Sequence, residues 1–269
     1  MTTGPRGAPN LLGPRHKRTQ RLRRLLTQPS YRQSERAFVV EGPKLVAEAL
    51  AAGAAVEGLY AAPAGFADPV VGRAHAAGVR VFGLAPGVIE RVAATATPQA
   101  LLAVVGMAEA VLADLFDANL LVVCVDVRDP GNLGTILRTA EAAGVGGVVC
   151  CEGTVDVYNP KCVRASAGSL FHVRLVARGG PVGVVLDQLG AWGMRRLGTA
   201  ANRGAPYHQV SFGHPSALVM GNEAVGLPAG LEGHVDQWVT VPIAGRAESL
   251  NVAMAAAVVC FEAARQRGT

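Results

Sequence analysis

Three polar loops interrupt an otherwise apolar chain, and each follows a run of residues that reads as a buried strand. After Leu120–Val125, a continuous apolar segment of the kind parallel strands show, comes Asp126-Val-Arg-Asp-Pro-Gly-Asn-Leu-Gly134, with Arg138 about one turn into the helix beyond. After Ala217–Gly221 comes Asn222-Glu-Ala-Val-Gly-Leu227. After Val239–Ile243 comes Ala244-Gly-Arg-Ala-Glu-Ser-Leu-Asn251, which opens the last helix. In open α/β sheets ligands gather beyond the carboxyl ends of strands, which is where these chemically unusual loops, with their carboxamides, carboxylate, hydroxyl and guanidinium, would lie. Gly221, at a strand end, lets a ligand approach the backbone closely. The free N–H groups that open the last helix could help position an anion or a sugar. Taken singly, each loop also reads as turn and capping chemistry: Asn132 and Asn222 as turn formers, Ser249 as an N-cap, Glu223 as a surface charge, Arg138 as a solvated helix residue.

Other chemistries find less support. No G-x-G-x-x-G follows a strand; the glycine-rich Gly144-Val-Gly-Gly147 precedes one and reads as a helix C-cap and turn. The five cysteines, Cys124, Cys150, Cys151, Cys162 and Cys260, include no C-x-x-C pair, and the six histidines are scattered singly, so reduced buried thiols and no metal are expected. The apolar run Val252–Phe261 falls short of the ~20 residues a bilayer-spanning helix needs. The charged N-terminus has no apolar stretch behind it, which predicts no secretory signal and a cytoplasmic protein.

The elements that must hold these loops follow from the alternation of strand and helix patterns. At about 150 residues per domain, 269 residues suggest one large or two modest domains. Strands are expected at Phe38–Val40, Val56–Tyr60, Val79–Phe82 and Ala100–Val105, alternating with helices, and this first unit closes near Gly106. Further strands are expected at Leu120–Val125, Gly147–Cys151, His172–Val176, Arg196–Ala200, Ala217–Gly221 and Val239–Ile243, with helices at Leu133–Ala143, Pro160–Ala167, Val182–Gly190 and Leu250–Arg265. The natural solution for this second unit is an α/β fold: an open parallel sheet with flanking helices. Residues 1–18, rich in glycine and proline, read as a flexible basic leader. Nine basic side chains lie within residues 1–36 against one acid, Glu35, while the whole chain carries only +5. The basicity is therefore local. Such a run suits a phosphate-tracking arm, although solvated tails carry similar runs.

Together the three loops resemble the three signature motifs of the SpoU/TrmH branch of the SPOUT RNA ribose methyltransferases. The first reads Asp129-Pro-Gly-Asn-Leu-Gly-Thr-Ile-Leu-Arg-Thr-Ala140, the second Val219-Met-Gly-Asn-Glu-Ala-Val-Gly-Leu227, and the third Val241-Pro-Ile followed by Glu248-Ser-Leu-Asn-Val-Ala253, in the family's order and spacing. Phe38-Val-Val-Glu-Gly-Pro-Lys-Leu-Val46 looks like the start of the family's L30e-like substrate-binding domain.

The resemblance implies an L30e-like α/β domain over 19–106, a linker over 107–117, and a parallel-sheet SPOUT domain over 118–269 with a deep trefoil knot, assembled as a homodimer through the C-terminal domain. It implies S-adenosylmethionine as cofactor, held near Thr199, Ala200, Ala201, Gly221, Asn222, Ile243 and Leu250. Arg138, Asn132, Glu223, Ser249 and Asn251 would form the catalytic set, acting on a ribose 2′-hydroxyl of ribosomal RNA. Arg18, Arg21, Arg24, Arg32, Lys44, Lys161 and Arg164 are the candidate RNA contacts. Ala224 stands where many members carry glycine, so a positive φ there would strain the second loop. A transfer RNA 2′-O-methyltransferase and a non-catalytic RNA-binding or ribosome-assembly factor are the competing readings. A small-molecule methyltransferase of Rossmann type lacks its glycine fingerprint.

Overall fold

The computed structural model describes residues 11–93, 95, 97–108 and 110–268. The first ten residues of the expected leader and Glu109 of the expected linker lie outside the described residues. The chain divides into two compact units between Met107 and Ala108.

The first unit begins sooner than its composition suggests. Leu12 donates its N–H to the Gly83 carbonyl (2.7 Å) and its own carbonyl accepts from Ala85 N (3.0 Å), so residues 11–18, expected as flexible leader, are tied to a strand edge. Helix α1 (Lys17–Thr27) is amphipathic: Leu22, Leu25 and Leu26 are buried, while Lys17, Arg18, Arg23 and Arg24 are exposed. Helix α2 (Pro29–Glu35) follows. Strands β1 (Ala37–Glu41), β2 (Val56–Ala61), β3 (Val81–Gly83) and β4 (Leu101–Gly106) form a mixed sheet in the order β1-β4-β2-β3. In it β4 runs antiparallel to both β1 and β2. Helices α3 (Pro43–Ala51), α4 (Pro69–Ala76) and α5 (Ile89–Val92) connect the strands.

The second unit carries a seven-stranded, wholly parallel sheet. Its strands are β5 (Leu120–Cys124), β6 (Gly147–Cys150), β7 (Leu175–Val176), β8 (Arg195–Thr199), β9 (Ala205–Pro206), β10 (Ser216–Met220) and β11 (Gln237–Thr240). Spatially they run β7-β6-β5-β10-β8-β11-β9. Strands β5 and β10 are buried along their whole lengths, as their unbroken apolar runs require. The flanking helices are α6 (Pro130–Ala142), α7 (Pro160–Ala165), α8 (Val182–Ala191) and α9 (Val252–Arg267), with α6 packed against α7 and α9. Gly134 of α6 allows its contact with α7: a Cβ there would stand 2.5 Å from the Cys162 carbonyl.

All five cysteines are free and buried, and burial pushes the Cys151 and Cys260 thiols up to about 12. Among the described residues no helix is long and apolar enough to cross a membrane, and no group of three or more His, Cys, Asp or Glu is placed to hold a metal ion.

Element ends differ from the sequence reading where a cap or a proline decides them. Helix α6 starts at Pro130 rather than Leu133, because Asp129 caps it by accepting from Asn132 N (2.9 Å) and proline suits the first helical position. Strand β11 stops at Thr240, just before Pro242, which has no N–H to give a ladder. Helix α9 starts at Val252, capped by Asn251 and not by Ser249.

Candidate active site

The loops leaving β5, β8, β10 and β11 converge because those four strands are neighbours in space, although in sequence they are spread over residues 120–240. A cleft of about 470 Å³ opens among the last three of these loops. Thr199, Ala200, Ala201, Gly221, Asn222, Ile243 and Leu250, the residues expected at the cofactor, all line it, as do Glu223 and Ser249. The cleft also takes in Arg203 and Trp238, which the sequence reading missed; the Arg203 guanidinium lies 3.6 Å from the Trp238 ring centroid. Trp238, one of only two tryptophans and placed on the strand leading to the third loop, was the available signal.

A glycine is required at Gly221 for a reason other than ligand approach. A Cβ there would lie 2.4 Å from the Gly226 carbonyl carbon and 2.5 Å from Leu227 N, so the loop can fold back on itself only over a bare Cα. Asn222 N donates to the Gly226 carbonyl (2.9 Å) and Gly226 N returns the bond (3.0 Å). The Asn222 side chain is committed to the same turn: its Oδ1 accepts from Ala224 N (2.9 Å), and its Nδ2 donates to the Asp126 carbonyl (2.9 Å). Ala224 is not among the residues with positive φ, so the strain that alanine could have caused does not arise.

Beside this cleft, residues from all three loops form one hydrogen-bonded chain. Glu223 Oε1 accepts from Asn132 Nδ2 (3.0 Å) and Asp129 N (3.0 Å), and its Oε2 accepts from Arg128 N (3.1 Å). Asn132 Oδ1 in turn accepts from Asn251 Nδ2 (2.9 Å). Asn251 Oδ1 accepts from Ala253 N (2.9 Å) and Met254 N (3.3 Å), capping α9.

Each orientation follows from the one before it. Burial pushes the Glu223 carboxyl up, but hydrogen bonds from Asn132, Asp129 and Arg128 outweigh it and hold the group below its ordinary range. Glu223 is therefore an ionised, acceptor-only group at neutral pH, and Asn132 must turn its amide nitrogen toward it. That leaves Asn132 Oδ1 facing Asn251, which must answer with its own amide nitrogen. One N–H and one oxygen lone pair of Asn132 remain for a ligand.

Other expected residues lie elsewhere. Arg138 is exposed on α6, six residues beyond Asn132 and so about 240° further round the helix. It lines neither this cleft nor the groove beside it. Lys161 donates to Asp129 Oδ2 (2.7 Å), Arg164 is half-buried on α7, and Lys44 is exposed on α3. Arg18 lies 4.3 Å from the Phe82 ring centroid and Arg24 lies 3.6 Å from that of Tyr31, both guanidinium groups on exposed residues of α1.

The burial of one expected RNA contact contradicts that role. Arg32 is 1% exposed and donates Nη1 to the Leu25 carbonyl (2.8 Å), so it ties α2 to α1 from inside. Arg21, partly exposed, pairs with Glu35 (2.8 Å) and Glu57 (2.6 Å).

The family described as SpoU rRNA Methylase matches residues 119–261, and the MRM3-like substrate binding domain matches residues 17–103. A Bacillus subtilis protein named 23S rRNA (guanosine(2553)-2'-O)-methyltransferase RlmP is 38% identical over 224 residues, which is 83% of this chain and 87% of that protein. Among solved structures, the SpoU methyltransferase AviRb from Streptomyces viridochromogenes, in complex with the cofactor AdoMet, aligns with a TM-score of 0.84 at 30% identity, covering 95% of this chain and 99% of its own. An AdoMet-bound rRNA methyltransferase from Sinorhizobium meliloti aligns with a TM-score of 0.80 at 32% identity, covering 93% and 94%. The first of these family matches runs through every loop that builds the cleft and its hydrogen-bonded edge, and on that ground the chain belongs to the SpoU rRNA methylase family.

Proposed function

We propose that this chain transfers a methyl group from S-adenosylmethionine to a ribose 2′-hydroxyl of ribosomal RNA. The observation that carries the reading is the chain Glu223–Asn132–Asn251, which brings one residue from each loop to the edge of one cleft. The cleft's volume lies within the range of about 300–1,000 Å³ typical of small-molecule sites. Main-chain groups at Thr199–Ala201 and Gly221–Asn222, with apolar walls at Ile243 and Leu250, suit a nucleoside bearing an amino-acid tail. When bound, that cofactor supplies a sulfonium methyl as the electrophile.

The protein's part is alignment and charge. Asn132, fixed at both ends, offers its remaining N–H and lone pair to the ribose hydroxyl, holding the oxygen for in-line attack. Ser249 and Asn251 organise the loop that opens α9. A guanidinium is a cationic donor and offers no lone pair as a base, so the role of Arg138 is to bind the phosphate beside the target ribose and stabilise the developing oxyanion, with the proton leaving to phosphate or water.

Because Arg138 lines neither this cleft nor the groove beside it, we infer that it serves the site of a second copy. Helix α9, packed on α6, leaves Met254 and Phe261 about half exposed, an apolar stripe suited to a homodimer formed through the C-terminal unit. A trefoil knot in that unit and an L30e-like fold for residues 19–106 belong to the same reading and rest on the family resemblance. In the N-terminal unit, exposed Arg18, Arg24 and Lys44 would grip RNA, with Lys161 and Arg164 of α7 as further contacts. Relatives named as 23S rRNA methyltransferases support ribosomal RNA as the substrate class, and the cytoplasm as the place of action belongs to the same reading.

The test is methyl transfer from labelled S-adenosylmethionine to unmodified 23S rRNA and to transfer RNA transcripts. Wild-type protein should label a ribose of the ribosomal RNA. Asn132→Ala should lose at least about 100-fold in rate while binding S-adenosylmethionine within a few-fold of wild type by calorimetry. Labelling of transfer RNA alone, or tight RNA binding without cofactor binding, would replace this reading with one of its competitors.

A further inference from the structure

A second cleft, of about 740 Å³, adjoins the first and shares Asn222, Glu223, Ala224 and Val225 with it. Asn132 lines this second cleft, so a substrate strand reaching Asn132 must enter here. Its ionisable lining is Asp126, Asp129, Glu223 and Arg128. Three carboxylates face an incoming polyanion, and one cation among the lining residues answers them.

Arg128 is anchored by its backbone and aimed by its side chain. Its N–H donates to Glu223 Oε2 (3.1 Å), the carboxylate that orients Asn132. Its Nε donates to Asp126 Oδ1 (2.9 Å). Asp126 is held in the left-handed region at φ 53°, and its own place is fixed by the Asn222 amide, which donates to its carbonyl (2.9 Å). Only the inner N–H of the guanidinium is engaged. The outer groups, Nη1 and Nη2, have no partner among the described residues, and the side chain is 74% exposed. A guanidinium pinned at Nε and open along its outer edge is a ready two-pronged donor for a phosphate.

Resting on the methyl-transfer reading above, we propose that Arg128 is an RNA-binding residue of this cleft, its outer guanidinium edge gripping a backbone phosphate of the strand that presents the target ribose to Asn132 of the same chain. It differs from Arg138 in lying on the same chain as the Asn132 it serves and in acting on binding before the chemical step.

The test compares wild type, Arg128→Ala and Arg128→Lys in steady-state transfer to unmodified 23S rRNA transcript, with the salt dependence of RNA affinity and calorimetry of S-adenosylmethionine. Arg128→Ala should raise KM for RNA roughly tenfold with kcat within about twofold, reduce the salt slope by about 0.7–0.9 for one lost phosphate contact, and leave cofactor affinity unchanged. Arg128→Lys should keep the salt slope yet raise KM several-fold, because an ammonium cannot present two parallel N–H groups. Unchanged KM and slope in Arg128→Ala overturn the proposal. So does a loss of cofactor affinity, which would assign Arg128 to shaping the loop. Arg128→Lys equal to wild type overturns the forked contact. Wild-type protein that methylates no ribose overturns the underlying reading instead.

Discussion

Asn132 is useful only because of what holds it. An amide free to flip would offer donor and acceptor at random, and the Glu223 carboxylate removes that freedom. The same carboxylate carries a pH signature. A group whose folded pKa is depressed contributes stability that is complete above its unfolded value and lost as pH falls through the folded one. Glu223→Gln should therefore melt below wild type at pH 7, by about 1–2 kcal/mol on the scale of partly exposed hydrogen bonds. The gap should close as pH falls below 4.5, the ordinary glutamate value. Thermal melts across pH 3–7 check this, and a constant gap would contradict it. At this scale the sequence was informative where a side chain belongs to a motif and misleading where only charge was read. Asn132, Glu223 and Asn251 meet as expected. Arg32 did not behave as expected, because a run of cations does not reveal which of them turns inward to the Leu25 carbonyl.

Helix α9 is positioned by Asn251, which does two things with two ends of one amide. Its oxygen caps the helix and its nitrogen reaches Asn132. Substitution separates the two. Asn251→Ala should cost about 1 kcal/mol of stability through the lost cap and should also slow transfer. Asn251→Asp keeps an equally good cap but sets a carboxylate against the Asn132 oxygen, so it should melt near wild type and still lose methyl transfer by at least tenfold. Melts paired with transfer rates decide the matter; full activity in Asn251→Asp would show that the Asn132 link is dispensable. The strands were legible because each is a short apolar run between breakers. Helix starts were less so. Pro130 and Gly131 read as loop until Asp129 is seen capping Asn132, and Ser249 competes with Asn251 on paper as a cap.

The meeting of the loops is a property of the whole sheet. Strand β10 inserts between β5 and β8, and β8 lies between β10 and β11, so loops far apart in sequence rise side by side. Strand patterns alone do not give that order; the motif resemblance anticipated that the three loops lie close together, but not that Arg138 lines neither cleft, that Asn132 lines a second one, or that Arg203 and Trp238 stack. The alternating strand and helix patterns of the N-terminal unit do not reveal that its sheet is mixed, with β4 returning antiparallel between β1 and β2. The central claim concerns what the assembled molecule does to RNA. Its most direct test is a map of 2′-O-methyl positions across ribosomal and transfer RNA from cells with the protein, without it, and restored with wild type or Asn132→Ala. One ribosomal RNA ribose should lose its methyl group in the deletion and regain it only with wild type. An unchanged ribosomal map would contradict the account.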